Sequence, residues 1–364
     1  MSKPRIAFFL PTLHGGGAER VSINLLKGML PYELDLDLVL GSAEGPYLDQ
    51  IPKGVNTINL GVSRVIKGLI PLRNYLNTVQ PTALLSHMGH TNVVAILAKA
   101  TAKTNTKLVV VEHNTLSASD SQLWRAKLVP WFMKRLYPLA DGIVGVSQGV
   151  SDDLEIELGL KKGAVTTIYN PVIDRELLAK ANTPVEHPWL QPNEPPVFLA
   201  VGRLTLQKDF ANLIKAFALV RQEKAARLMI LGEGELRGEL ETLAKNLGVA
   251  EDVALPGFVN NPYGFMNQAE VFTLSSQWEG LPTALIEAMA CGCSVVATDC
   301  PSGPREILQS GKYGQLVPVG DSSALATGML KALTHPASQD DLKARSRYFS
   351  TEQIVPQYLD LLIN

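Results

Sequence analysis

The fold of this chain turns on sixteen residues, Ser275-Ser276-Gln277-Trp278-Glu279-Gly280-Leu281-Pro282-Thr283-Ala284-Leu285-Ile286-Glu287-Ala288-Met289-Ala290. Residues 271–274 before them are apolar, and the run is short enough for a buried strand. Residues 282–290 carry a helical pattern, and Pro282 suits a first helical turn, where its missing N–H costs nothing. Strand, glycine-containing loop and helix in that order make a βα unit. In parallel α/β sheets such loops gather at the carboxyl ends of the strands, where ligands bind. Glu279 in the loop and Glu287 in the second helical turn are acceptor-only when ionised, and each can take two hydroxyl donors from a vicinal diol. A single helical glutamate is ordinarily a solvated surface residue. Two at this spacing, among apolar neighbours and beside a helix start, point to a polyol. Amides around Gly280, Leu281 and Thr283 are placed to meet a phosphate at the positive end of the helix.

The same alternation repeats outward from this unit. Residues 197–201, 227–231, 253–255 and 294–298 read as further strands, and 210–222, 236–247 and 323–333 as helices. Upstream, residues 6–10, 36–40, 83–85, 108–111, 142–146 and 165–169 read as strands, with helices at 18–29, 66–79 and 92–102. Aliphatic strands separated by helices predict parallel sheets covered on both faces, the doubly wound α/β class. Residues 182–196 hold five prolines and predict an extended connector. The expected organisation is a first α/β domain over 1–181, a linker over 182–196 and a second α/β domain over 197–345. A C-terminal segment over 346–364 follows, with an amphipathic helix at 351–362 for which a return to the first domain is open.

Composition agrees with this division. The 364 residues exceed what one core ordinarily organises. With 46% hydrophobic and 19% charged residues, the chain is not a disordered one. The net charge of −2 lacks the basic excess of a nucleic-acid binder. It conceals an asymmetry: residues 1–175 carry 18 Lys/Arg against 14 Asp/Glu, a net +4, and residues 176–364 carry 15 against 21, a net −6. No acidic residue falls between Gln50 and Val111, a span holding Lys53, Arg64, Lys67, Arg73, Lys99, Lys103 and Lys107. A face of one sign attracts anions or anionic lipid, although a solvated rim has the same composition. Cys291, Cys293 and Cys300 do not make a disulfide framework, and no His stands near them to complete a zinc site. The N-terminus lacks the apolar core and cleavage site of a signal peptide, and no apolar run is long enough to span a bilayer. The expected location is cytoplasmic, at most peripheral on a membrane.

Two more loops follow first strands. Pro11-Thr12-Leu13-His14-Gly15-Gly16-Gly17-Ala18-Glu19-Arg20 lets backbone approach a ligand closely at a helix start. It is neither Gly-x-Gly-x-x-Gly nor a P-loop, and a plain tight turn explains it equally well. In Val201-Gly202-Arg203-Leu204-Thr205-Leu206-Gln207-Lys208-Asp209-Phe210, Arg203 and Lys208 straddle a loop and offer a diphosphate one planar fork and one point charge.

This constellation resembles the retaining GT-B glycosyltransferases of family 4. Glu279 and Glu287 match that family's Glu-x7-Glu motif. Arg203 and Lys208 match its Arg and Lys after the first strand of the C-terminal domain, and residues 15–17 match its glycine-rich first loop. Asn170-Pro171-Val172, Leu231-Gly232-Glu233-Gly234 and Pro256-Gly257-Phe258-Val259 fall in the expected order. The resemblance covers most of the chain and implies two Rossmann-like domains facing across a cleft. Many members read Glu-Gly-Phe-Gly where this chain has Glu279-Gly280-Leu281-Pro282-Thr283. With Thr298-Asp299-Cys300-Pro301-Ser302-Gly303-Pro304-Arg305-Glu306, that resembles the subset building bacterial polysaccharides and lipid-linked glycans, whose members often use UDP-N-acetylhexosamines.

The resemblance implies roles position by position. Glu287 would bind ribose hydroxyls and Glu279 the donor sugar. Arg203 and Lys208 would hold the diphosphate and stabilise the departing nucleotide. Gly16 and Gly17 would contact donor phosphate or acceptor. His113, in Val111-Glu112-His113-Asn114, would lie by the sugar, although a strand-end packing role stands beside that. Ser147 is a weaker candidate at another strand end. Asp35 and Asp37 fall in and around a strand, so no Asp-x-Asp loop offers a metal site, and metal-independent transfer is expected, with the nucleotide sugar as substrate rather than cofactor. Retention without an evident carboxylate nucleophile suits front-face attack. The stretch from Leu123 to Tyr137 mixes aromatic and cationic residues, and Trp124, Arg125, Lys127, Trp131, Lys134 and Arg135 are its candidates for an anionic membrane or lipid-linked acceptor, against the alternative of an amphipathic cover helix interrupted at Pro130. Two other classes compete: a nucleotide-sugar epimerase on the same fold, and a non-catalytic nucleotide-sugar-binding protein.

Overall fold

The protein is described by a computed structural model at residues 3–14, 16–117 and 124–364, with backbone only at 124–128. In chain order the elements are β1 (Arg5–Leu10), α1 (Gly17–Met29), β2 (Asp35–Leu40), β3 (Val55–Asn59), α2 (Leu69–Val79), β4 (Ala83–His87), α3 (Gly89–Thr101), β5 (Lys107–Glu112), α4 (Trp124–Leu136), β6 (Gly142–Gly145), α5 (Gln148–Leu158) and β7 (Thr166–Thr167). There follow α6 (Arg175–Ala181), β8 (Val197–Val201), α7 (Phe210–Glu223), β9 (Arg227–Leu231), α8 (Arg237–Asn246), β10 (Val253–Gly257), α9 (Pro262–Gln268), β11 (Val271–Leu274), α10 (Thr283–Ala290), β12 (Ser294–Thr298), α11 (Pro304–Ile307), β13 (Gln315–Val317), α12 (Ser322–Thr334), α13 (Gln339–Ser346) and α14 (Thr351–Ile363). They form two compact units, one of residues up to Pro171 with Thr351–Asn364, the other Val172–Ser350.

The first unit holds a parallel seven-stranded sheet in the order β3-β2-β1-β4-β5-β6-β7. Its central strands are sealed on both faces, which is why they read as unbroken apolar runs: Ile6 to Leu10 and Leu108 to Val111 are wholly buried. The order reverses between β1 and β4, which pair in register from Ile6–Ala83 to Phe9–Ser86. The edge strand β3, Val-Asn-Thr-Ile-Asn, has no buried residue and so no apolar run to betray it in the sequence. At the other edge, the strand expected over 165–169 shrinks to two residues. Helix α14 packs on α1, where Gly28 leaves room for Val355: a Cβ there would come within 2.6 Å of the valine methyl.

The second unit holds a parallel six-stranded sheet in the order β10-β9-β8-β11-β12-β13, reversing between β8 and β11. Phe198, Phe217, Leu228 and Met329 are among the residues of its core. The proline-rich stretch 182–196 is not a free connector. The Val185 amide donates to Gln268 Oε1 at 2.8 Å, the His187 ring meets Phe265, and the Arg227 guanidinium lies over Trp189. Its prolines keep it out of the sheet, but its remaining amides and its aromatic side chains dock on α9 and β9. The chain divides earlier, between Pro171 and Val172. The amides of Val172 and Ile173 both donate to the Phe349 carbonyl, at 2.7 and 3.1 Å, so the two segments bounding the second unit are tied to each other. Residues 175–181 therefore belong to the second unit, and Asn261 Nδ2 donates to the Lys180 carbonyl at 3.0 Å.

The loops after β8 and β9 meet so closely that only glycine fits. Gly232 sits at φ +139°, and a Cβ on it would lie 2.0 Å from the Gly202 carbonyl oxygen. Gly232→Ala should destabilise the second unit by at least about 2 kcal/mol through backbone strain and collision. Gly238→Ala, on a glycine with nothing within 4 Å of its added Cβ, should be neutral or slightly stabilising. Denaturant melts of the two variants beside the native chain would read the contrast.

Candidate active site

At the reversal of the second sheet, the loops after neighbouring strands β8 and β11 lie side by side at the carboxyl ends of the strands, the edge at which parallel α/β sheets bind ligands. A short 3-10 turn, Leu206–Lys208, follows β8, and Asp209 in the left-handed region (φ +45°) then caps α7 by accepting from the Asn212 amide at 3.2 Å. From that turn Lys208 reaches the β11 loop, where Nζ lies 2.6 Å from Glu279 Oε1. Ser276 Oγ donates to the same oxygen at 2.6 Å. Glu279 is 6% exposed, and enclosing a carboxylate is costly unless it is paired and hydrogen-bonded in this way. Its second oxygen, Oε2, accepts no hydrogen bond among the described residues.

Backbone and amide contacts fix the two loops together. Gln277 N donates to the Gln207 carbonyl at 2.8 Å, Gln207 Nε2 to the Trp278 carbonyl at 3.0 Å, and Ser275 Oγ to the Lys208 carbonyl at 2.7 Å. Thr298 Oγ1, from the end of β12, donates to the Ser276 carbonyl at 2.6 Å. Pro301 accepts from Glu279 N at 3.2 Å and Ser302 donates to the Gly280 carbonyl at 2.8 Å, so the turn after β12 backs the loop. The helix starts at Thr283, with Pro282 in the capping position just before it and the Leu281 side chain buried inward. Of this loop, the Leu281 and Thr283 amides remain at the positive end of α10, while the Glu279 amide is already spent on Pro301. Arg203 is exposed, and its guanidinium makes no hydrogen bond or ion pair among the described residues. Glu287 is half-buried one turn into α10, close enough to Cys291 to add to the burial that pushes that thiol up to about 12. Ser276, Gln207 and Thr298 were not singled out from the sequence, because their roles arise from neighbours on other strands.

In the first unit, Gly16 caps α1 in an extended conformation, and a Cβ on it would strike Glu19 Oε2 at 2.4 Å; nothing lies within 4 Å of one on Gly17. Gly15 falls outside the described residues. His113, at the end of β5, bonds through Nε2 to His87 Nδ1 at 2.9 Å. His87, which sequence reading passed over, is fully buried at the end of β4 and stacked on Phe8. Burial keeps both imidazoles neutral, with His113 pulled down to about 4 and His87 well below its ordinary value. Beside them Glu112 is buried against Tyr137 and accepts from Asn92 Nδ2 at 2.8 Å; desolvation raises its carboxyl to about 7. Ser147 is fully buried and caps α5, accepting from the Val150 amide at 3.2 Å, which accounts for it structurally. Asp37 is likewise structural: Tyr75 donates to it at 2.6 Å, with Asn56 and Arg5 around it.

Helix α4 runs through Pro130 rather than breaking there. Met133 and Tyr137 are buried, while Trp131, Phe132, Lys134 and Arg135 face outward, with the Arg135 guanidinium 4.0 Å from the centre of the Trp131 ring. The side chains of Trp124, Arg125 and Lys127 lie outside the described residues. No helix of the described residues is long and apolar enough to cross a membrane.

Two Rossmann-like parallel units, one of seven strands and one of six, are the architecture of the GT-B fold class. Residues 185–349 match the family Glycosyl transferases group 1, and residues 15–176 match Glycosyltransferase Family 4. A Campylobacter jejuni protein named N-acetylgalactosamine-N,N'-diacetylbacillosaminyl-diphospho-undecaprenol 4-alpha-N-acetylgalactosaminyltransferase is 30% identical, with 99% of each chain covered. A second from that organism, GalNAc-alpha-(1->4)-GalNAc-alpha-(1->3)-diNAcBac-PP-undecaprenol alpha-1,4-N-acetyl-D-galactosaminyltransferase, is 26% identical over 98% of each chain. Anabaena HepE, solved with UDP and glucose, superposes with a TM-score of 0.79 at 20% identity, covering 99% of each chain. The chain belongs to glycosyltransferase family 4 and is a glycosyltransferase with the GT-B fold.

The Glu112 carboxyl keeps its proton to about pH 7 when folded but releases it near 4.5 when unfolded. Its contribution to stability is therefore complete below about 4.5 and is lost as pH rises through 7. Glu112→Gln keeps the shape and removes the titration. Relative to that variant, the native chain should gain stability as pH falls from 7 to 4.5 in denaturant melts; parallel curves would rule this out.

Proposed function

We propose that this glycosyltransferase moves a hexose or N-acetylhexosamine from a UDP-sugar to a glycan or lipid-linked acceptor, with retention at the anomeric carbon. The observation that carries the reading is the Lys208–Glu279 contact at the reversal of the second sheet, with Arg203 in the same loop as Lys208. A diphosphate leaving group needs cations and helix-end amides placed before the bond breaks. Arg203 and Lys208 supply the cations, and Leu281 and Thr283 with Gly280 form the helix end. Glu279 Oε2 is the acceptor for a donor-sugar hydroxyl, and Glu287 takes the ribose diol. Lys208 is thus shared between a carboxylate it already meets and the phosphate it would take up. Two such cations support transfer without a metal ion.

The Campylobacter jejuni relatives, whose names place α-N-acetylgalactosaminyl transfer on undecaprenyl diphosphate-linked glycans, support an N-acetylhexosamine donor and a lipid-linked acceptor. Common UDP-hexosamines are α-linked, so an α product is a retained one. The outward face of α4, Trp131, Phe132, Lys134 and Arg135, supports contact of the first unit with an anionic leaflet at the inner face of the cell membrane. Gly16, Gly17 and His113 are the first unit's candidates for donor or acceptor contact.

Glu287→Ala should weaken UDP binding about 100-fold or more by calorimetry, since two charge-assisted hydrogen bonds of ~1.5–3 kcal/mol each are lost. Unchanged binding would remove the ribose assignment. In a thermal-shift panel of nucleotide sugars, UDP-N-acetylhexosamines should raise the melting temperature most, and turnover should survive EDTA. Flotation with anionic liposomes at low salt should carry the native chain and leave behind a Trp131→Ala, Lys134→Glu, Arg135→Glu variant.

A further inference from the structure

His113 and His87 share one hydrogen bond, and its direction decides what His113 offers a ligand. With His87 Nδ1 and His113 Nε2 at 2.9 Å, a single proton lies between them. If it belongs to His113, then neutral His87 must carry its own proton on Nε2. That atom is buried and has no hydrogen-bond partner among the described residues. If it belongs to His87, then Nε2 of His87 is a bare acceptor. Orphaned buried N–H groups are rare in folded proteins, so the second arrangement, which leaves no donor unpaired, is favoured. The alternative of charging one ring is opposed by the enclosure of His87, which is 0% exposed and stacked on Phe8.

We infer that His87 is a positioning residue that fixes His113 as the Nδ1-protonated tautomer, so that His113 meets its ligand as a hydrogen-bond donor rather than a base. The outward nitrogen of the pair is then an N–H: His113 Nδ1 has no partner among the described residues, and the ring is half-buried where that of His87 is sealed. A free histidine side chain in water favours Nε2–H, so this tautomer is imposed by the neighbour. The low pKa of His113 keeps the donor neutral across the physiological range. For a nucleotide-sugar enzyme such a donor suits a sugar hydroxyl or an oxygen gaining charge, and that assignment of its ligand rests on the function proposed above.

The full chain labelled with 15N-histidine, with His113→Gln used to identify the resonance among the six histidines, reports the tautomer directly in long-range 1H–15N spectra at neutral pH. The native chain should show His113 protonated at Nδ1 and bare at Nε2. His87→Leu should return His113 predominantly to Nε2–H, and His87→Asn, whose amide nitrogen can stand near the former Nδ1, should restore the native pattern. A native His113 protonated at Nε2, or a tautomer indifferent to His87→Leu, overturns the inference. The native spectrum decides even if neither variant folds. Failure of the proposed function would show separately, as no glycosyl transfer from UDP-sugars by the native chain with the tautomer still as stated.

Discussion

A parallel sheet delivers the carboxyl end of every strand to one edge, and the site of this glycosyltransferase depends on that constraint. Where strand order reverses, the loops after two neighbouring strands meet at that edge, and it is there that such sheets bind ligands. The second unit reverses between β8 and β11, which carry Lys208 and Glu279 in their following loops. These residues are 71 positions apart in the chain, yet the sheet makes them neighbours. The first unit obeys the same rule, with the glycine loop after β1, His87 at the end of β4 and His113 at the end of β5.

Charge is placed differently in the two units. In the second, an enclosed carboxylate is balanced by one lysine and one serine hydroxyl on the same oxygen, which leaves the other oxygen without a hydrogen bond among the described residues. Removing either partner would leave a desolvated charge under-compensated, which is far more costly than an exposed ion pair is valuable. In the first unit the buried groups stay neutral instead: two uncharged imidazoles, and a carboxyl held protonated toward neutral pH.

Strands buried on both faces were the most legible part of the sequence. β8, β9, β11 and β12 coincide residue for residue with the strands expected, because a strand sealed on both faces is written as a short aliphatic run between turn residues. Edge strands β3 and β13 have one or no sealed face and left no such trace. The candidate site residues were recognisable as types in loops after strands, and Lys208 and Glu279 do meet. The residues that hold them in place were not. Ser276 passed unremarked within the loop motif, and His87 lay beyond the strand expected over 83–85, because each acts across strands that sequence order does not show. The proline-rich stretch misled for a related reason: composition reports what the backbone cannot do, not what the side chains dock against.

Helix α14 completes the first unit, yet it is encoded after the whole of the second. Every strand of the second sheet, within residues 172–350, is synthesised before Thr351. The first unit meanwhile waits with one surface of α1 uncovered, including the notch at Gly28 that Val355 fills. Order of synthesis and order of completion are thus inverted, and the half of the chain made first is the half finished last.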